Sequence, residues 1–145
     1  MSKARATESS SLDRLKTYKL WGHEDTIHNA DGYCGKLLHL LPNQQCSLHF
    51  HAVKHETFTA IDGEVWVEYY PFAYSDGGGD DLTIDKGPAT ITLLRGWAYD
   101  ALELPPFTPH RFWTTNPNGA ILAEFSTPHA DEDVVRLEDS RPLPQ

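Results

Sequence analysis

The apolar and polar positions fall in short extended runs, with period-two alternation plain in Glu64–Tyr70, and no segment shows the long 3.6-residue period of a helix. Short runs of this kind at Thr17–Trp21, Tyr33–Leu41, Gln44–His51, Glu56–Asp62, Glu64–Phe72, Ala89–Leu94, Tyr99–Leu104, His110–Thr115 and Ala120–Ser126 are predicted to be strands. Pro42-Asn43, Asp62-Gly63 and Asn116-Pro117-Asn118-Gly119 separate neighbouring runs, and Asp-Gly between two extended runs is a strong hairpin signal. Phase assigns the faces: Val65, Val67 and Tyr69 are expected on the core side, opposite Glu64, Trp66, Glu68 and Tyr70. Trp66 and Tyr70 then share an outer face with two carboxylates, as expected of a surface covered by a second subunit in a homodimer. Asp131–Leu137 is the one stretch that suggests a helix.

Many short strands joined by turn chemistry predict an all-β sandwich or barrel. At 145 residues the chain has the size of one domain, expected over 17–137, with a flexible N-terminal segment 1–16 and a frayed tail 138–145. Ala73–Pro88, with Gly77-Gly78-Gly79 flanked by Asp76, Asp80 and Asp81, reads as a long mobile hairpin loop near the barrel mouth. No apolar run approaches the ~20 residues of a membrane span, and the Ser-rich start carries no apolar signal-peptide core, so a cytoplasmic location is expected. A net charge of −9, from 21 acidic and 12 basic residues without a Lys/Arg cluster, argues against nucleic-acid binding. Cys34 and Cys46 are too few for a disulfide framework and are expected as reduced thiols.

The chemistry concentrates in Cys46-Ser-Leu-His49-Phe-His51-Ala-Val-Lys54-His55-Glu56, followed by Gly63. His49 and His51 are two apart on an extended run, so both imidazoles project to one face and can share a metal ion. Pro106-Phe-Thr-Pro-His110 supplies a third imidazole from a strand distant in sequence. The fourth ligand is Glu56 or its neighbour His55. Taken singly, His23, His28, His39 and His129 have no such context and read as ordinary surface or core histidines.

These residues resemble the cupin superfamily, whose first motif is His-x-His, three or four residues, Glu, six residues, Gly. His49, His51, Glu56 and Gly63 fit it at every position; in the second motif His110 fits, while Phe107 stands where a glycine is usual. The resemblance covers about Tyr33 to Ser126. It implies a single-domain jelly roll in which three histidines and a glutamate bind Mn, Fe, Ni, Zn or Cu; the affinity order favours one Zn ion, with Fe, Mn or Ni as alternatives. It implies no organic cofactor, and no dinucleotide fingerprint is present.

Three or four protein ligands leave positions open to water or substrate, the mark of a catalytic metal that can polarise a carbonyl. Alternation places Gln45, Ser47, Phe58, Ala60 and Phe112 beside the metal, with Trp97, Tyr99 and Phe107 available to rim the mouth, so a small-molecule substrate in a mostly apolar pocket is expected. His49-x-His51-x-x-Lys54-x-Glu56, with Glu124-Phe-Ser-Thr and Asp131-Glu-Asp-Val downstream, resembles the cupin sugar isomerases, in which the residue matching Lys54 assists proton transfer. The size and His-rich site are also similar to the small cupin cyclases of aromatic polyketide biosynthesis. Both chemistries enolise a metal-polarised carbonyl. The apolar lining and the extra His55 favour the cyclase, an aldol cyclisation of a poly-β-ketone, with Lys54 and Glu56 as catalytic residues. The aldose–ketose isomerase, an Fe-dependent dioxygenase and a non-catalytic binding module are the alternatives.

Overall fold

The computed structural model describes residue 6 and residues 15–71, 73–75, 82–84 and 88–144. Its strands are β1 (Leu15–Lys19), β2 (Gly22–Ala30), β3 (Tyr33–Leu40), β4 (Gln44–Gln45), β5 (Leu48–His51), β6 (Glu56–Asp62), β7 (Glu64–Tyr69), β8 (Ala73–Ser75), β9 (Leu82–Ile84), β10 (Thr90–Arg95), β11 (Ala101–Leu104), β12 (His110–Trp113), β13 (Ala120–Ser126), β14 (Val134–Glu138) and β15 (Arg141–Pro142). A six-stranded sheet runs β1-β2-β3-β13-β6-β11 and a five-stranded sheet β10-β7-β12-β5-β14; β15-β4 and β8-β9 form two small pairs. Every pairing is antiparallel.

The two larger sheets face each other, and their inward positions form the core. Leu38, Leu40, Phe58, Ala60, Leu104 and Leu122 from the first sheet meet Val65, Val67, Leu94 and Phe112 from the second, with Trp21 packed edge-on against Phe112. The expected alternation in β7 is observed: Val65 and Val67 are fully buried, while Trp66 and Glu68 are half-buried on the outer side. At the Asp62-Gly63 turn between β6 and β7, Gly63 has φ 73, and a Cβ there would meet Gly119 O and Asn116 Nδ2 at 3.0 Å. Glycine avoids both the backbone strain and the crowding.

Five sequence expectations change. β2, long and continuous, was not anticipated: Gly22-His-Glu-Asp-Thr-Ile-His-Asn-Ala30 has almost no apolar residues because its inner face borders a polar cavity. The Gln44–His51 run breaks at Cys46-Ser47, where Phe112 N donates to Cys46 Sγ (3.2 Å) and Cys46 N donates to Phe112 O (3.1 Å). Asp131–Leu137 is not helical. A single 3-10 turn, Asp131–Asp133, leads into β14, in agreement with the strand preference of the β-branched pair Val134-Val135. The tail is not wholly loose either: β15 pairs with β4, and the first strand begins at Leu15, inside the segment expected to be flexible. β8 and β9 pair across the expected hairpin, whose glycine run lies outside the described residues. No helix among the described residues is long and apolar enough to cross a membrane.

Candidate metal centre

β5 and β12 lie side by side in the five-stranded sheet, and their register pairs His49 directly with His110. His51, two residues along β5, turns to the same side, so one ring nitrogen from each imidazole falls within 4.8 Å of the others. Glu56 opens β6 on the facing sheet and reaches across: its Oε1 lies 2.8 Å from His110 Nε2 and 3.5 Å from His51 Nε2. Four of the predicted residues therefore converge. His55 does not. Its side chain turns to the outer surface and meets Glu103 Oε1 at 2.7 Å, because adjacent strand residues point to opposite faces. Of the two options for the fourth position, only Glu56 stands beside the imidazoles.

The donors are oriented from behind. His49 Nδ1 donates to Ser47 O at 2.9 Å, and His110 Nδ1 donates to Thr108 O at 2.8 Å, which leaves the Nε2 lone pairs aimed at the common centre. The break at Cys46-Ser47 puts that carbonyl in place. His110 Nε2 and Glu56 Oε1, although close, lack the angles of a hydrogen bond, and both are buried without a partner. Two orphaned buried atoms aimed at one point, with two further imidazoles beside them, suit a shared cation. Three imidazole nitrogens and one carboxylate oxygen fit a divalent transition ion.

At His49, His51 and Glu56, protonation agrees with that role. Burial, then the neighbouring His110 and His51, hold His49 well below the usual histidine range; burial brings His51 down to about 4, so both rings are neutral donors. For Glu56, burial favours the neutral acid, but His110, Lys54 and His51 outweigh it and hold the carboxyl well below the ordinary range. His110 is pushed up instead: the Glu56 charge more than offsets burial.

Lys54 sits beside this centre rather than on the surface. It is buried, with Nζ 2.7 Å from Glu124 Oε2, 3.4 Å from Glu56 Oε2 and 3.3 Å from His129 Nδ1. Burial disfavours its charge, but Glu124 and Glu56 more than compensate and raise its pKa. Burial, followed by the Glu56 charge, pushes the Glu124 carboxyl up to about 7. One ammonium serves two buried carboxylates here, so the second is incompletely stabilised. Asp133 fixes the approach: Val53 N and Lys54 N donate to its two oxygens at 2.8 and 2.9 Å.

The cavity in front of these groups is about 810 Å³. Ser47, Phe58 and Phe112 line it as expected, but so do Glu24, Lys36, Lys54, Glu124 and His129. Lys36 and Glu24 form a pair at 3.5 Å on the inner side of the six-stranded sheet. Sequence reasoning placed no charged residues here beyond Lys54 and Glu56. The available signal was Lys36 itself, a charge that interrupts the inward series Cys34, Leu38, Leu40. Trp97 and Tyr99 do not rim this mouth. They border a separate hollow with Asp62, Glu64 and Asn116, and the Phe107 ring packs 5.8 Å from that of Phe50.

Two facing antiparallel sheets, a His-x-His strand paired with a third histidine, and a glutamate from the opposite sheet make this a cupin by fold. No family model matches the chain. The D-lyxose ketol-isomerase of Cohnella laeviribosi is 33% identical over 123 residues, covering 74% of this chain and 62% of that protein. The chain thus spans less than two thirds of the curated relative it matches. Among solved structures, oxalate decarboxylase from Bacillus subtilis superposes with a TM-score of 0.71 at 15% identity, over 94% of this chain and 33% of that one. L-ribose isomerase from Cellulomonas parahominis superposes with a TM-score of 0.60 at 19% identity, over 74% and 62%. These structural likenesses carry the fold.

Proposed function

We propose that the protein is a metal-dependent aldose–ketose isomerase acting on a small sugar. His49, His51, Glu56 and His110 would hold one divalent transition ion, with Zn, which stands near the top of the affinity order, favoured and Fe, Mn or Ni as alternatives. The observation that carries this reading is the buried row Glu56–Lys54–Glu124, of which Lys54 and Glu124 line the cavity together with His49 and His51. It supplies the polar groups that holding a polyol requires. The sequence relationship to a ketol-isomerase supports the same reaction class. The polyketide cyclase shares the enolising step, but the charged residues around the cavity suit hydroxyls better than a polyketone chain.

When bound, the ion would supply Lewis-acid polarisation of the sugar's carbonyl and neighbouring hydroxyl oxygens. The remaining work falls to the chain. Lys54 Nζ, held between two carboxylates, is placed to donate a hydrogen bond to the substrate oxygen on which negative charge develops. Glu124, with a pKa of about 7, is matched to proton transfer near neutrality. It would take the proton from C2 of the open-chain aldose as O1 gains one from Lys54 Nζ, and return it to C1 as O2 gives its proton back to Nζ. The products are a ketose and the enzyme in its starting protonation state. Glu24 and Lys36 would hold hydroxyls farther along the chain.

The test is to offer metal-replete protein a panel of pentoses and hexoses and measure aldose–ketose interconversion. Turnover should be abolished by chelation and should fall at least a hundredfold in Lys54→Ala and Glu124→Gln. Cyclisation of a poly-β-ketone surrogate without sugar turnover would support the cyclase instead. Oxygen uptake coupled to product would support a dioxygenase, and sugar binding without turnover a binding module. We also propose a homodimer through the outer face bearing Trp66 and Tyr70, both half-buried in the single chain. Sedimentation as a monomer at micromolar concentration would refute it.

A further inference from the structure

On the outer face of the six-stranded sheet, two histidines stand directly opposite each other. β2 and β3 pair His23 with His39, and the rings stack with centroids 4.3 Å apart and planes 11° from parallel. Asp25, two residues beyond His23, projects to the same face. Its Oδ2 lies 3.3 Å from His39 Nε2 and 3.9 Å from His23 Nε2, and one donor atom from each of the three residues falls within 4.8 Å of the others.

We infer that His23, Asp25 and His39 form a second transition-metal site, separate from the centre between the sheets. The spacing supports ligation. With metal–nitrogen and metal–oxygen bonds near 2.1 Å, neighbouring donors around a tetrahedral ion stand roughly 3.3 Å apart. The His39–Asp25 separation already has that value, and the His23–Asp25 separation of 3.9 Å has to close by a few tenths of an ångström. The two Asp25 oxygens divide their duties: Oδ1 faces Lys16 Nζ at 3.7 Å, while Oδ2 faces the imidazoles. Lys16 and Tyr18 reach this face from β1, where Lys16 is the register partner of Asp25 and Tyr18 that of His23. The Tyr18 ring lies 5.9 Å from that of His23 and limits its swing.

Two imidazoles and a carboxylate select borderline ions such as Zn(II), Cu(II) or Ni(II) over Ca(II) or Mg(II), which prefer oxygen donors. Three protein donors leave a position for water or a group from another molecule. Glu24 and Thr26, the residues next to Asp25, face the cavity on the other side of the sheet, so the two ions would be separated by the sheet itself. An acidic chain with net charge −9 draws cations to its surface. A stacked cross-strand pair alone would stabilise the sheet modestly, but it would not require a carboxylate aimed at both Nε2 atoms.

The test is equilibrium dialysis of the chelator-stripped full chain against Zn(II), with bound metal read by elemental analysis. Wild type should retain two ions per chain. His39→Ala and Asp25→Asn should each retain one, as should the double variant His49→Ala/His51→Ala, whose remaining ion reports the second site alone. Asp25→Asn keeps the side-chain shape and serves if His39→Ala fails to fold. A single ion in wild type, unchanged in number and affinity in His39→Ala and Asp25→Asn, overturns the site. So does a second ion that survives both changes. Neither outcome depends on whether the protein isomerises sugars.

Discussion

At residues 55 and 56, one step along the strand separates a residue that meets the imidazoles from one that faces solvent. That choice was legible in the sequence, since Glu56 shares its parity with Phe58 and Ala60 on the inner face of β6. The extra histidine obscured it. His55→Ala should leave metal occupancy unchanged and alter stability by less than ~1 kcal/mol, as expected for an exposed pair with Glu103. Glu56→Gln should lower metal affinity at least tenfold; equal effects of the two changes on bound metal, read by elemental analysis, would contradict the assignment. Phe107 offers a second residue-scale test. It occupies the position where related motifs carry glycine, and its φ of 62 explains why: the left-handed conformation suits glycine and strains phenylalanine. Its amide still donates to His51 O at 2.8 Å, so the backbone keeps that shape beside the site. Both Phe107→Ala and Phe107→Gly lose the ring contact with Phe50, but only glycine relieves the strain. Phe107→Gly should therefore be more stable than Phe107→Ala by about 1 kcal/mol in urea unfolding.

Among the elements, β3, β6, β7, β12 and β13 were readable because each buries one apolar face, and period-two alternation records exactly that burial as a pattern of residues. β2 and β14 were not. β2 faces a polar cavity on one side and the partly exposed His23–Asp25–His39 group on the other, so neither side needs apolar residues. β14 follows three consecutive acids that look like the first turn of a helix, and only its pairing with β5 settles its conformation. The same segment contributes Asp133, which ties the start of β14 to the turn carrying Lys54. Asp133→Ala leaves two backbone amides, Val53 N and Lys54 N, without their side-chain acceptors and should cost about 1–3 kcal/mol in urea unfolding. It should also lower turnover by displacing Lys54, while bound metal is retained. Unchanged stability and turnover would show that the turn holds itself.

For the molecule as a whole, the cavity is where reading by pattern failed most. The residues that enclose it come from β1, β2, β3, β5, β6, β12, β13 and β14, and no local motif reports that eight strands converge. The metal motif was legible because one strand carries two of its histidines at a fixed spacing. Glu24, Lys36 and His129 join the site only through sheet topology, so an apolar pocket was expected where charged groups gather. That difference moves the chemistry from polyketone towards sugar. It also makes proton transfer at C2 the central claim. The most direct measurement is NMR of metal-replete protein with a panel of aldopentoses and aldohexoses in D2O. The account predicts a ketose carrying deuterium at C1, formed only with metal present and lost in Lys54→Ala and Glu124→Gln. Ketose formed without deuterium would contradict the proton-transfer roles, and no ketose from a metal-occupied protein would contradict the isomerase itself.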